Sequence, residues 1–158
     1  MLATSATLRS EKFAALCKQL AKPDLHFHLQ PCPGLADQIE HGELQSIQTL
    51  DMVRHYLTPL ISADCDSLVL GCTHYPFVAD QIINLWQQYS GHTPVLIDTG
   101  EAVIRHLRNL MNQSGLLNTD TSPPTLRWVS TGRSETITEA LRHLLPDTDR
   151  RNNESVAL

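Results

Sequence analysis

The sequence lacks the segments that would place it in a membrane or direct it out of the cell. None of its apolar runs approaches the roughly 20 residues that a membrane-spanning helix needs. Its N-terminus, Met1 to Thr4, is not a charged region followed by a long apolar one, as in a secretory signal. We therefore expect a cytoplasmic protein.

Positive charge is also scarce. The 158 residues contain 12 Lys and Arg against 17 Asp and Glu, which gives a formal net charge of −5. Neither nucleic acid nor a membrane surface is expected as a partner, because both require a basic footprint. The only lysines are Lys12, Lys18 and Lys22, which fall in or beside one predicted helix. A pyridoxal route through a Schiff-base lysine is therefore not expected.

The cysteines have no zinc-binding spacing. They stand at positions 17, 32, 65 and 72 and form no Cys-x-x-Cys pair, so no metal site is predicted. Without a secretory signal, the thiols are expected to stay reduced. We interpret Cys17 and Cys65 as core residues, whereas Cys32, in a loop between two prolines, is ambiguous.

What the sequence does contain is the hexapeptide Gly71-Cys72-Thr73-His74-Tyr75-Pro76. It follows the apolar run Leu68-Val69-Leu70 and precedes an amphipathic segment, so Cys72 is predicted where a buried strand ends and a helix begins. Open α/β sheets bind ligands at that place. The helix dipole and free backbone N–H groups there favour a thiolate, and His74 can relay a proton near neutral pH. An isolated Cys-x-His is more often structural, but this context favours a site.

Strand and helix patterns alternate along the chain. Strands are predicted at Met1–Thr4, Leu25–Leu29, Asp66–Gly71 and Val95–Ile97, and each precedes a segment with apolar residues at helical spacing. Parallel neighbours need crossover helices, so the pattern predicts a three-layer, parallel, flavodoxin-like α/β domain over residues 1–115. The first strand is shorter than a normal buried strand, and we expect that the beginning is cut.

Local signals indicate several helix ends and surface positions. Thr7 is predicted to cap the first helix, and Asp98 with Glu101 has the spacing of a reciprocal cap. His26 and His28 alternate with apolar residues and are expected to face outward.

The pattern changes after the predicted domain. Residues 116–124 form a polar linker with two prolines, and residues 125–145 contain one more strand and helix. Residues 146–158 are charged and without period, so we expect them to be disordered.

The hexapeptide and four other separated segments resemble glutamate racemases, in the aspartate/glutamate racemase superfamily. In order and spacing they are similar to the C-terminal portion of that family. The resemblance implies an Asp/Glu racemase-type fold and a cofactor-independent isomerase that interconverts L- and D-glutamate, supplying D-glutamate for peptidoglycan and hence for the cell wall and cell shape. The last strand-helix unit would then belong to an incomplete second domain. The other four segments are Leu2–Ser10, Gln30–Leu35, Glu40 with Gly42–Leu44, and Asp98–Val103.

The resemblance also implies roles for individual residues. Racemisation needs two opposed acid/base groups, because a proton leaves one face of the α-carbon and another returns to the opposite face. By resemblance, Cys72 is one of two catalytic thiols, His74 assists it, and Glu40 aids the proton transfers. Glu40 could equally be a solvated carboxylate at a helix end. The substrate-binding residues implied by the resemblance are Thr4, Thr7 and Thr73.

Two family motifs do not occur in this sequence: a Cys-Asn-Thr stretch that carries the other thiol, and an Asp-Ser-Gly stretch that binds the substrate ammonium. Cys32 and Cys65 have different neighbours and cannot take that place. Three hypotheses follow. The chain carries the second catalytic half of a glutamate racemase, it is an inactive remnant that binds a carboxylate ligand, or it is a hydrolase with Cys72 as nucleophile and His74 as base.

The last strand-helix unit has a further implication for association. If the rest of its domain is absent, its apolar face, with Trp128 and Leu141, would be exposed. We therefore expect association, with a homo-oligomer as one form of it, in addition to the small-molecule substrate.

Overall fold

The computed structural model describes residues 1–118, 120, 122, 128–130, 134–145 and 155–157. The chain divides into two compact units. The first comprises Met1–Ile39 and Glu43–Glu101, and the second comprises Glu40–Gly42 and Ala102–Leu158. Each unit is described by itself.

The first unit is built on a four-stranded parallel sheet with strand order β2-β1-β3-β4. This confirms the predicted parallel α/β class, and the order around β1 is that of a flavodoxin-like sheet. The strands are β1 (Leu2–Ala3), β2 (Gln30–Pro31), β3 (Ser67–Gly71) and β4 (Val95–Asp98).

Helices connect the strands, and several of their ends are encoded locally. Ser46 caps the longest helix by accepting a hydrogen bond from the Thr49 backbone N–H at 3.2 Å. Gly91 ends another in the left-handed region, with φ of 76°. The helices are α1 (Ser5–Leu8), α2 (Glu11–Leu20), α3 (Leu35–Glu40), α4 (Ile47–Ser62), α5 (Ala79–Ser90) and α6 (Gly100–Gln113), with a 3₁₀ turn at Tyr75–Val78 before α5.

The core of the first unit lies between the sheet and the pair α4 and α5. Leu68 and Leu70 of β3 point to this side and are buried. They pack in a layer with fully or nearly fully buried side chains of the two helices, which are Val53, Leu57, Leu60, Ile82 and Trp86. The opposite side of the strands is more open, since Val95 is 63% exposed and Ile97 is 42% exposed. The helix α2 buries no residue.

Two local predictions were wrong. The cap of the first helix is Thr4, which accepts a hydrogen bond from the Thr7 N–H, and Ser10 caps α2, so Thr7 lies inside α1. Residues 25–29 do not form the predicted strand: pairing with β1 occurs at Gln30–Pro31, opposite the two residues Leu2 and Ala3. His26 and His28 are exposed, as expected.

The cysteine interpretation also needs correction. Cys17 and Cys65 are only half-buried, whereas Cys32, which the sequence left ambiguous, is 2% exposed. Cys32 is buried because it directly follows β2 and its backbone N–H donates to the Ala3 carbonyl at 3.0 Å. The tight pairing of β1 with β2 therefore decides which thiol is buried.

The second unit contains most of α6, the strands β5 (Trp128–Ser130) and β6 (Ser155–Ala157), and the helix α7 (Ser134–Leu144). The strand β5 pairs with β6 in parallel. The predicted linker and tail lie partly outside the described residues, and the described part of the tail is β6. Trp128 and Leu141 are half-buried. A larger exposed apolar surface lies on α6, at Val103, Ile104, Leu107 and Leu110.

Within the part of the chain that the structure describes, no helix combines the length and apolarity needed to cross a membrane.

Gly71, the last residue of β3, generates a testable prediction. A Cβ at this position would lie 2.9 Å from the Leu2 carbonyl oxygen and 3.1 Å from the Ala3 Cβ, both in the adjacent strand. Backbone atoms in a paired strand cannot yield without moving the strand. We expect Gly71→Ala to lower the free energy of unfolding by about 1–3 kcal/mol, measured by urea denaturation.

Gly100→Ala is the matched control. An added Cβ there would make its closest contact at 3.4 Å, with the flexible Asp98 side chain, and alanine favours a helix. The explanation fails if both substitutions cost the same stability.

Candidate functional site

The carboxyl ends of three neighbouring strands bring the candidate residues together. The register pairs Ala3 of β1 with Pro31 of β2 on one side and with Gly71 of β3 on the other. The next residues in the chain are Thr4, Cys32 and Cys72. Because adjacent parallel strands lie about 4.8 Å apart, Thr4 leaves the sheet between the two cysteines.

Cys72 and His74 lie side by side at this edge. The Cys72 Sγ lies 3.8 Å from the His74 Nδ1, and both side chains are half-buried. The turn between them is closed by backbone hydrogen bonds, from Tyr75 N–H to the Cys72 carbonyl and from Phe77 N–H to the His74 carbonyl. The thiol is therefore neither sealed in the core nor remote from its imidazole.

The helix that was predicted to begin directly after Cys72 begins later. Pro76 lies in the 3₁₀ turn Tyr75–Val78, and α5 starts at Ala79. The short 3₁₀ turn and His74 are therefore nearer to the Cys72 thiol in the chain than the N-terminus of α5 is.

A pair of threonine hydroxyls lies on the neighbouring strand exit. The Oγ1 atoms of Thr4 and Thr7 are 2.9 Å apart, and the Thr4 Oγ1 accepts the Thr7 backbone N–H at 3.2 Å. Each hydroxyl has one hydrogen, and the contact between them uses only one. The pair therefore keeps one O–H that can be donated to a ligand oxygen, and both side chains are half-buried.

The other residues implied by the resemblance are less enclosed. Thr73 is exposed beside Cys72, and Glu40 is exposed at the last position of α3 and falls in the second unit. Asp98 accepts a hydrogen bond from the Gly100 N–H at 3.0 Å, a local turn at the start of α6. Among the residues that the structure describes, no cluster of His, Cys, Asp and Glu is arranged to hold a metal ion.

Sequence reasoning missed the environment of Cys32. Its Sγ donates to the Gln30 carbonyl at 3.5 Å, and the Tyr75 hydroxyl lies 3.4 Å from its carbonyl oxygen. Burial raises the pKa of the Cys32 thiol to about 12. The Pro-Cys-Pro spacing shows a constrained loop, but only strand pairing shows that its thiol is buried.

The chain is similar to known glutamate racemases. It is 44% identical over 130 residues to the glutamate racemase of Pseudomonas syringae pv. tomato, covering 82% of this chain and 46% of that protein. It is 42% identical over 149 residues to the Pseudomonas putida F1 enzyme, covering 92% and 51%. No family model matches. The chain thus spans about half the length of the curated relatives it matches.

Solved structures share the fold of this chain. The glutamate racemase RacE1 of Bacillus anthracis superposes with a TM-score of 0.79 at 24% identity, covering 99% of this chain and 55% of that one. The Francisella tularensis glutamate racemase, solved in complex with D-glutamate, gives 0.78 at 25% identity, covering 99% and 56%.

The burial of Cys32 predicts how folding stability depends on pH. Its pKa is raised from 9.0 to about 12 in the folded chain, so above pH 9 the unfolded chain loses this proton while the folded chain keeps it. The unfolded state then binds fewer protons, and stability falls as the pH rises. One such group contributes a slope of about 1.4 kcal/mol per pH unit between these values.

Urea denaturation at a series of alkaline pH values tests this prediction. Cys32→Ala should show a shallower alkaline loss of stability than the original chain, whatever its stability at neutral pH. Cys17→Ala, which removes a half-buried thiol from α2, is the control and should keep the original slope. Equal slopes in all three chains would contradict the assignment.

Proposed function

The chain belongs to the glutamate racemase family, and from that premise we propose that it supplies one catalytic thiol, Cys72, for the cofactor-independent interconversion of L- and D-glutamate. The observation that carries the proposal is the 3.8 Å contact of Cys72 Sγ with His74 Nδ1, beside the Thr4 and Thr7 hydroxyl pair. In this proposal, Cys72 is the proton acceptor and the threonine pair is the carboxylate anchor on the adjacent strand exit. The D-glutamate in the Francisella tularensis structure supports glutamate as the substrate.

The proposed chemistry is a proton transfer at the α-carbon. As a thiolate, Cys72 takes the α-proton of one enantiomer: the C–H bond breaks, an S–H bond forms, and the electron pair is delocalised towards the substrate carboxylate. A second acid then delivers a proton to the opposite face. In the reverse direction Cys72 starts as the thiol and returns its proton.

The neighbouring residues have defined tasks in this proposal. His74 exchanges the proton of Cys72, and the free hydroxyl hydrogen of the Thr4–Thr7 pair is donated to the substrate carboxylate. That carboxylate gains negative charge as the proton leaves, so a fixed donor there stabilises the transition state. Thr73 contributes a further polar contact beside the sulfur. A role for Glu40 in the transfers rests on the family resemblance alone.

The second acid of this reaction, expected in a Cys-Asn-Thr stretch, has no counterpart in this sequence. A Cys-Asn-Thr stretch is absent from the 158 residues. We therefore propose that this chain carries the second catalytic half of the site and that turnover requires the opposing thiol on another polypeptide segment. The product, D-glutamate, would serve peptidoglycan synthesis.

The Cys72–His74 contact would also suit a thiol hydrolase, since nucleophile and base are within reach of each other. Hydrolysis and racemisation can be distinguished by their effects on Cys72 and on the substrate. A hydrolase forms an acyl adduct on Cys72 that mass spectrometry detects, whereas racemisation exchanges the α-hydrogen of glutamate with solvent and leaves the sulfur unmodified.

We expect this chain to catalyse exchange of the glutamate α-hydrogen in D₂O when combined with the part of the Pseudomonas syringae relative that the match leaves uncovered. Proton NMR of L- and D-glutamate measures the exchange. Cys72→Ser should reduce the rate at least about a hundredfold, because general acid/base groups contribute that much or more.

Cys65→Ser provides the matched control, because Cys65 is a half-buried thiol before β3 and Cys72 is a half-buried thiol after it. This control should keep the original rate. Equal losses in both variants would show that the wrong thiol was chosen. Glutamate binding without exchange, with the complementary half present, would favour a carboxylate-binding remnant.

A further inference from the structure

Tyr75 is a buried side chain that the proposed chemistry does not use. It follows His74 directly, is 0% exposed, and opens the 3₁₀ turn Tyr75–Val78. Its backbone N–H donates to the Cys72 carbonyl at 3.2 Å. The Tyr75 backbone is therefore part of the turn that carries Cys72 and His74.

The hydroxyl of Tyr75 reaches the loop after another strand. It donates to the Cys32 carbonyl oxygen at 3.4 Å and interacts with the Cys32 thiol as well. Burial raises the pKa of Tyr75 well above its usual value, so the phenol remains a neutral donor. The contact links residues 43 positions apart in the chain.

This link joins two strand exits that are not neighbours in the sheet. The strand order is β2-β1-β3-β4, so Cys32 after β2 and Cys72 after β3 are separated by Thr4 after β1. Ladder hydrogen bonds fix each strand only to its immediate neighbours. The Tyr75 side chain spans the exit of β1 and ties together the loops on its two sides.

A second tyrosine, Tyr56, also holds the Cys32 loop but is not part of the turn that carries Cys72. Tyr56 of α4 is 8% exposed and donates its hydroxyl to the Pro33 carbonyl at 2.7 Å. The two tyrosines thus fix consecutive carbonyls of one loop from different elements. Only Tyr75 is part of the Cys72 turn.

We propose that Tyr75 is a positioning residue, which holds the Cys72–His74 pair in place beside the Thr4–Thr7 hydroxyls by anchoring its turn to the Cys32 loop. The inference rests on the proposed function, because the Cys72–His74 pair that Tyr75 holds is the pair proposed to move the proton. The physical claim concerns the reactivity of the Cys72 sulfur and can be measured on this chain without any turnover.

The test compares Tyr75→Phe with Tyr56→Phe. Each variant removes one buried hydroxyl and keeps its ring, so the two should lower the stability of the fold by similar amounts. Alkylation of the cysteines by iodoacetamide is followed by peptide mass spectrometry from about pH 6 to pH 9.5, where the thiolate fraction sets the rate. Cys17 and Cys65 are half-buried internal references in the same digest.

We expect Tyr75→Phe to change the Cys72 alkylation rate at least about threefold and to shift its pH–rate curve. A threefold change in rate corresponds to a shift of this curve by about half a pH unit. Tyr56→Phe should follow the original pH–rate curve, and Cys17 and Cys65 should be unaffected in both variants. A purely structural contribution of the Tyr75 hydroxyl would lower the unfolding midpoint without moving this curve.

Three outcomes would overturn the inference: a Cys72 curve in Tyr75→Phe that superposes on the original, equal changes in both variants, or loss of the folded circular dichroism spectrum in Tyr75→Phe alone. The last would mean that the hydroxyl supports the core as a whole. If the alkylation result holds and glutamate exchange is never detected, the proposed function fails while the positioning role stands.

Discussion

The pairing of β1 with a strand on each side is the constraint on which the site depends. With Ala3 opposite both Pro31 and Gly71, the residues that follow are forced to the same edge of the sheet. The pairing requires close approach, which is why Gly71 has no room for a Cβ beside the Leu2 carbonyl. A shift of register by one residue would separate Thr4 from Cys72 and turn the side chains to the other face.

The edge formed in this way offers two environments for a thiol. Cys32 is enclosed at 2% exposure, and its pKa is raised to about 12, so it remains a neutral thiol. Cys72 is half-buried with an imidazole nitrogen at 3.8 Å. A sulfur that exchanges protons with a substrate needs access and a partner, and the geometry gives both to Cys72 alone of the two. The buried thiol instead belongs to the loop that Tyr75 and Tyr56 hold through its carbonyls.

The chain shares its sheet edge with longer relatives only over part of their length. A chain that spans about half the length of its curated relatives can still contain a complete parallel sheet edge, because each strand-helix unit packs on its sequence neighbours. One side of the sheet is open, with Val95 at 63% exposure, whereas α4 and α5 carry buried side chains such as Leu57 and Trp86. In the proposed reaction, two acid/base groups face each other across the substrate, and this sheet edge would supply one of them.

The sequence by itself determined the parallel α/β class and the place of Cys72, because an apolar run followed by a polar hexapeptide is a local signal. The predictions of a cap at Thr7 and of a strand at 25–29 were wrong, because a cap depends on which N–H group the hydroxyl meets and a strand depends on the neighbouring strand that pairs with it. Only the tertiary structure decided that Cys32 is the buried thiol, that the Thr4 and Thr7 hydroxyls contact each other, and that Tyr75 spans β1. The Tyr75 contact joins residues that are distant in the chain. The threonine contact is local, but other hydroxyls nearby could form similar contacts, and strand pairing decides where each one lies.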